Sequence, residues 1–203
     1  MNLDDIQIYL PKYLSLESSK ELFEGLKDFP ENIDSRLYTT YLNDEIIYQG
    51  DGLRKMLAIN LPDISLKSVD GMVLSNTCDI EQSNKRPFPS QIVYSPIINL
   101  ERYKAGLVST IGNEERVNNH ILEIRKQKIT QIFFLPRFGG VLDESIIFLD
   151  RIFNIANDYI ERSTISSTRI FSLSDYGNYL FLLKLSIHFT RIQDRVDRKS
   201  VRL

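Results

Sequence analysis

A chain of 203 residues with 42% hydrophobic content can bury a sizeable core and fits one elaborated domain. Its net charge of −2, with 26% of residues charged, argues against a fold built mainly to grip nucleic acid, which is ordinarily strongly basic. The single cysteine, Cys78, rules out a disulfide within one chain.

The first residues, MNLDDIQIYLPKYLS, carry acids where a leader peptide carries bases, and no run approaches the roughly 18 apolar residues that span a bilayer. A cytoplasmic protein off the membrane is the expectation. Charge is uneven along the chain: residues 1–35 hold eight acids and three lysines, whereas 191–203 hold five bases and two acids. Such asymmetry marks either a partner-binding end or two solvated helices.

In chain order, Leu16, Leu22, Phe23 and Leu26 predict an amphipathic helix over 15–29, stopped by Pro30, and residues 1–35 read as an N-terminal helical extension. Segments 37–42 (LYTTYL) and 45–48 (EIIY) predict short strands joined at a turn over Asn43 and Asp44. Gly50-Asp51-Gly52 is a further turn, and 53–60 a further strand. Two buried strands, 71–76 (GMVLSN) and 91–96 (QIVYSP), flank a polar loop of 14 residues, longer than ordinary hairpin connections and therefore a place to look for function.

Segment 98–105 predicts a short helix and 114–126 a better one, with Val117, Ile121 and Ile124 on one face. Segments 130–135 and 145–149 predict a strand pair, with 151–155 extending the second. A C-terminal helix is expected over 172–199, with Ser172 or Ser174 as cap and Asp175 at its positive end. Tyr176, Tyr179, Leu183 and Ile187 form its apolar stripe, which either packs inside the domain or docks a protein partner or a second copy as a homodimer. The fold class expected is α+β: a small barrel or curled antiparallel sheet over 36–155 with inserted helices, flanked by terminal helices.

Chemistry concentrates in the loop. Asn76, Thr77 and Asp79 can orient a hydroxyl, a water or a phosphate, or can satisfy backbone groups as a local turn. Lys85 and Arg86 can neutralise developing negative charge. Cys78 needs a nearby imidazole to act as a nucleophile, and the chain has only His120 and His188, so a buried or semi-buried structural cysteine is expected, with binding the other role for it and for Glu81. One cysteine and two scattered histidines do not make a zinc site, and Asp79 with Glu81 lacks a diagnostic magnesium spacing; no metal or cofactor is expected. Arg191, Arg195 and Arg198 fall partly on one face of the terminal helix and can meet RNA, an acidic partner, or the acids Asp194 and Asp197 of their own helix.

The order Tyr48-Gln49-Gly50-Asp51, then Gly71-Met72-Val73-Leu74-Ser75-Asn76, then Val93-Tyr94-Ser95-Pro96-Ile97 resembles toxins of the MazF/PemK type. These have an early strand with a Gly-Asp turn, a strand ending in Ser-Asn, a loop, and a strand ending in a Pro-hydrophobic pair. The resemblance covers about a quarter of the chain and implies an SH3-like barrel and metal-independent cleavage of RNA. The toxins' arginine–proline pair precedes the Ser-Asn strand, whereas Arg86-Pro87 follows it here, and 63–70 contains no arginine. The expectation is therefore a non-catalytic binding or adaptor protein from a bacterial toxin–antitoxin or phage-defence system. The alternative is an endoribonuclease in which Thr77 and Asp79 position the phosphate and Arg86 stabilises charge.

Overall fold

The computed structural model describes residues 16–42 and 45–190. Helix α1 (Leu16–Lys27) buries Leu22 and ends before Pro30. One turn of helix, α2 (Ile33–Arg36), runs into a two-residue strand, β1 (Tyr38–Thr39). The expected strand over 37–42 is thus cut short and 45–48 forms no strand, while Asn43 and Asp44 lie outside the described residues. The cause is a side chain: Arg169 donates to the carbonyls of Leu42 and Ile46, so no ladder partner takes those acceptors.

Strands β2 (Gly52–Ile59) and β3 (Leu66–Val73) form a hairpin, longer on the β3 side than its sequence signal. A one-turn helix α3 (Thr77–Ile80) sits in the polar loop before β4 (Gln91–Pro96). A short strand β5 (Ile98–Asn99) follows at once, and Asn99 caps α4 (Leu100–Ile111) by accepting from the Arg102 amide at 3.0 Å. Gly112, at φ 67°, ends that helix, and Asn113 caps α5 (Glu114–Arg125).

Strands β6 (Ile132–Leu135) and β7 (Ser145–Phe148) are buried at every position. Strand β8 (Phe153–Ala156) does not extend β7; the chain turns at Arg151 and β8 pairs with β4 instead. After a one-turn helix α6 (Ile165–Thr168) comes β9 (Arg169–Leu173), whose last two residues fall in the expected C-terminal helix and whose first three carried no expected element. That helix, α7 (Asp175–Thr190), therefore starts later than 172; positions 191–199 lie outside the described residues. Ser174 is its cap, accepting from the Gly177 amide at 3.0 Å.

The protein is mixed α+β. Six antiparallel strands run in the order β1-β9-β2-β3-β4-β8, and three more in the order β5-β7-β6. The outer strands β1 and β8 do not pair with each other, so of the two expected forms, a small barrel or a curled antiparallel sheet, the barrel is corrected: the strands form two open antiparallel sheets. Closure fails because β8 takes the second edge of β4, while the chain beyond Pro96 leaves for the other sheet. No helix among the described residues is long and apolar enough to cross a membrane.

Three apolar clusters fill the interior. The largest joins α1 and α7 to Met72, Phe133, Ile147 and Phe171; a second holds Leu53, Met56, Ile80 and Tyr94; a third lies between α5 and the β6–β7 pair. Tyr176, Tyr179, Leu180 and Phe181 of α7 are buried within the domain, so the first half of the C-terminal stripe is core. Helix α7 approaches so closely at Gly177 that a Cβ there would sit 2.1 Å from the Leu37 carbonyl oxygen.

Candidate functional site

The 76–90 loop is held by its own polar side chains. Asn76 accepts from the Cys78 amide at 2.9 Å and so caps α3. Thr77 Oγ1 accepts from the Gln49 amide at 3.0 Å, and the Gln49 side chain donates to the Leu74 carbonyl at 2.7 Å. Ser75 Oγ accepts from the Val93 amide at 2.8 Å. These bonds fix the end of β3 against the 48–51 turn and against β4.

Arg86 donates to Asp79 at 2.8 Å and to the Cys78 carbonyl at 3.1 Å, where Asn84 also donates at 2.9 Å. The side chains of Arg86 and Asp79 are 42% and 65% exposed, so the pair is solvated and weak. Beneath it, buried Ile80 offers its carbonyl to Asn157 at 2.8 Å and to Arg162 at 3.1 Å. Asn157 reaches Ser90 at 2.7 Å and also accepts from Arg162. Burial lowers the Arg162 pKa and the Glu81 charge opposes it. The loop is thus bolted to the segment after β8.

Five of the predicted site residues, Asn76, Thr77, Cys78, Asp79 and Arg86, come together. Glu81, Lys85 and Arg86 line a 240 Å³ cleft with Asn84, Phe88 and Asp158, and Phe88 is 80% exposed. Cys78 is exposed, which corrects the buried or semi-buried position expected for it: Ile80 takes the buried face of the one-turn α3. The histidines have other partners: His120 Nε2 lies 3.2 Å from the Tyr103 hydroxyl, and His188 meets the Phe189 ring. No group of three or more His, Cys, Asp or Glu among the described residues is arranged to hold a metal ion. Arg191, Arg195 and Arg198 lie outside the described residues. A larger cleft of 580 Å³ among the described residues, between Tyr38, Tyr41 and the start of α7, contains none of the predicted site residues.

A second polar cluster escaped sequence reasoning. Asp51 is fully buried; its carboxylate accepts from the Tyr48 amide at 3.0 Å, Arg169 Nε at 3.1 Å and Ser172 Oγ at 2.6 Å. Burial raises the Asp51 pKa, while Ser172, the Tyr48 amide and Arg169 lower it. The guanidinium of Arg169 also lies 5.7 Å from the centre of the Tyr48 ring. Asp51 is visible in the sequence only as part of a turn, and Arg169, 118 residues away, has no local signal that names it as the partner.

No protein-family model matches the chain, and no curated protein matches it. Its chemistry is read from the site alone. With Asn76 engaged as a cap, Thr77 as an acceptor and Asp79 paired with Arg86, what the loop leaves open to solvent is the Phe88 ring and the Lys85 side chain, beside the acidic Glu81 and Asp158 of the same cleft.

Proposed function

We propose that this is a non-catalytic binding or adaptor protein whose recognition surface is the 76–90 loop. The observation behind the reading is the bonding of the loop: Asn76, Thr77, Asp79 and Arg86 all bond within the protein, and the two imidazoles meet Tyr103 and Phe189. A general base or an activated nucleophile needs a free, positioned partner, and the loop supplies none. The toxin–antitoxin or phage-defence setting and the cytoplasmic location belong to the same proposal and rest on the sequence. So does the SH3-like relationship of the fold. The partner is a protein with an apolar contact for the exposed Phe88 ring and mixed charge to meet Lys85 and Glu81, with single-stranded RNA, stacking on Phe88, as the other chemistry.

The test is incubation of the full chain with single-stranded RNA, followed by cleavage and binding assays. The expected outcome is no cleavage. Cleavage by the wild type that disappears in folded Asp79→Ala and Arg86→Ala variants would overturn the reading in favour of an endoribonuclease. On the binding side, a partner retained by the wild type is expected to be lost from the exposed-residue variant Lys85→Glu/Phe88→Ser; retention by that variant would move the surface elsewhere.

A further inference from the structure

Strand β6 stands at the outside of its sheet, with β7 on one side and no strand of the described residues on the other. Ile132, Phe133, Phe134 and Leu135 are all apolar and buried. An uncharged run of this kind at a sheet edge is a template for pairing with another chain. The backbone bonds of β6 show how that edge is closed.

The pairing decides which groups face outward. The Leu149 amide donates to the Gln131 carbonyl at 2.9 Å, so Gln131 turns its backbone groups toward β7, and alternation turns those of Phe133 and Leu135 the same way. Ile132, Phe134 and Pro136 therefore turn outward. The Ile132 amide donates to the Ile129 carbonyl at 3.1 Å. Pro136 has no N–H to offer, and its carbonyl accepts from the Tyr38 hydroxyl at 2.8 Å. At Phe134, in the middle of this edge, one side chain takes both groups. Gln127 Oε1 accepts from the Phe134 amide at 3.1 Å, and Gln127 Nε2 donates to the Phe134 carbonyl at 2.8 Å. A side-chain amide that gives one residue both a donor and an acceptor does what the backbone of a neighbouring strand would do.

The backbone at Gln127 shows why a glutamine stands there. Helix α5 ends in a Schellman turn: the Gln127 amide donates to the Ile124 carbonyl at 2.8 Å, and the Lys128 amide to the Glu123 carbonyl at 2.9 Å. Gln127 occupies the left-handed position of that turn, at φ 56°, where glycine fits freely and glutamine is strained. Glycine, however, has no amide for Phe134. The buried Lys184 of α7 completes the seat, its Nζ donating to the Gln127 carbonyl at 2.9 Å and to Oε1 at 2.6 Å. Only one orientation of the side-chain amide satisfies Phe134 and Lys184 together.

We propose that Gln127 is an edge guard: its side chain occupies the pairing groups of β6 and keeps the protein from associating, strand to strand, with a second copy of itself. This accounts for a strained glutamine where glycine would fit, and for the closure of the next outward position by Pro136 and Tyr38. The guard is separate from the 76–90 loop, which adjoins β3 and β4 of the other sheet.

Gln127→Gly is the variant that tests it, because it removes the amide while relieving the left-handed backbone, so the turn itself is favoured. Hydrogen exchange on the full chain reads the first consequence. The Phe134 amide is expected to exchange about a hundredfold faster than in the wild type, and the Phe133 and Leu135 amides, held by β7, to change by less than about tenfold. Light scattering and thioflavin fluorescence at about 100 µM read the second: the variant is expected to assemble at least about tenfold faster than the wild type. In those assemblies Phe134 is expected to be protected again. Met56→Ala, a truncation in the second apolar cluster, is the control for lost stability and is compared at equal folded fraction. Unchanged exchange at Phe134 overturns the proposal, because the amide then seals nothing. Assembly no faster than that of Met56→Ala also overturns it, because the bonds then serve the fold alone. Assemblies in which Phe134 still exchanges freely overturn it too, since they form through another segment.

Discussion

Lys184 should make this protein more stable as the solution becomes alkaline. It lies on α7, only 7% exposed, with its Nζ donating to the Gln127 carbonyl at 2.9 Å and to Gln127 Oε1 at 2.6 Å. No carboxylate is among its partners. Burial therefore pulls its pKa from 10.5 down to about 7. Between those values the unfolded chain holds a proton on Lys184 that the folded protein does not, so stability rises with pH across that window. Below about 7 both states are charged and the full cost of the buried ammonium is present.

Each unit is worth about 1.4 kcal/mol, so raising the pH from about 7 to 9.5 adds about 3 kcal/mol. Stopping there keeps tyrosine ionisation out of the range. The assay is urea unfolding at intervals from pH 6 to 9.5, on the wild type and on Lys184→Met, with the difference between them plotted. Other groups titrate in both proteins and cancel. The wild type is expected to gain on the variant by about 2–3 kcal/mol over the range. A difference that stays flat to within about 0.5 kcal/mol would show that Lys184 is charged and well compensated where it sits, and the reasoning would fail.

Gly177→Ala is expected to destabilise by about 2–4 kcal/mol, because the new methyl meets the Leu37 carbonyl at 2.1 Å and α7 must move off its seat; an unchanged melting temperature would refute the close contact. Arg169→Ala leaves the fully buried Asp51 carboxylate without its cation and strips the donors from the Leu42 and Ile46 carbonyls. It should cost about 3–5 kcal/mol in chemical unfolding, and a loss below about 1 kcal/mol would mean that the cluster is not the anchor described above.

What the sequence revealed depended on how far each signal reaches. The α5 stripe of Val117, Ile121 and Ile124 repeats within one helix, and all three residues are buried as expected. The strands over 91–96, 132–135 and 145–148 are short runs of apolar residues bounded by turns, and they were legible for the same reason. Strand β9 went unassigned because it is one short apolar run, Ile170, Phe171 and Leu173, whose end overlaps the expected start of the C-terminal helix, and only the Ser174 cap separates the two. The 45–48 segment reads as a strand by composition, but its backbone is claimed by Arg169, and a bond across more than a hundred residues leaves no trace in local pattern. At the candidate site the sequence located the loop correctly. It did not reveal that Asn157 and Arg162 hold the loop from below, because that contact joins segments some eighty residues apart.

The 48–51 turn links the features that matter. Gln49 fixes Thr77 and the Leu74 carbonyl at the start of the 76–90 loop, while Asp51 fixes Ser172 and Arg169 on β9. Gly50, at φ 88°, permits the bend, and its amide together with the Asp51 carbonyl pairs with both backbone groups of Val73. β2 begins at the next residue, so the same turn that sets the loop also sets the base of the β2–β3 hairpin. A buried ionic cluster is a poor source of net stability, since desolvation cancels most of its attraction. Its value here is geometric: Asp51 has one arrangement that satisfies the Tyr48 amide, Ser172 and Arg169 together, and that arrangement aims the loop and the hairpin from a single rigid point. Among the described residues Asp51 is the one fully buried carboxylate, and it stands where the 76–90 loop and the β2–β3 hairpin meet.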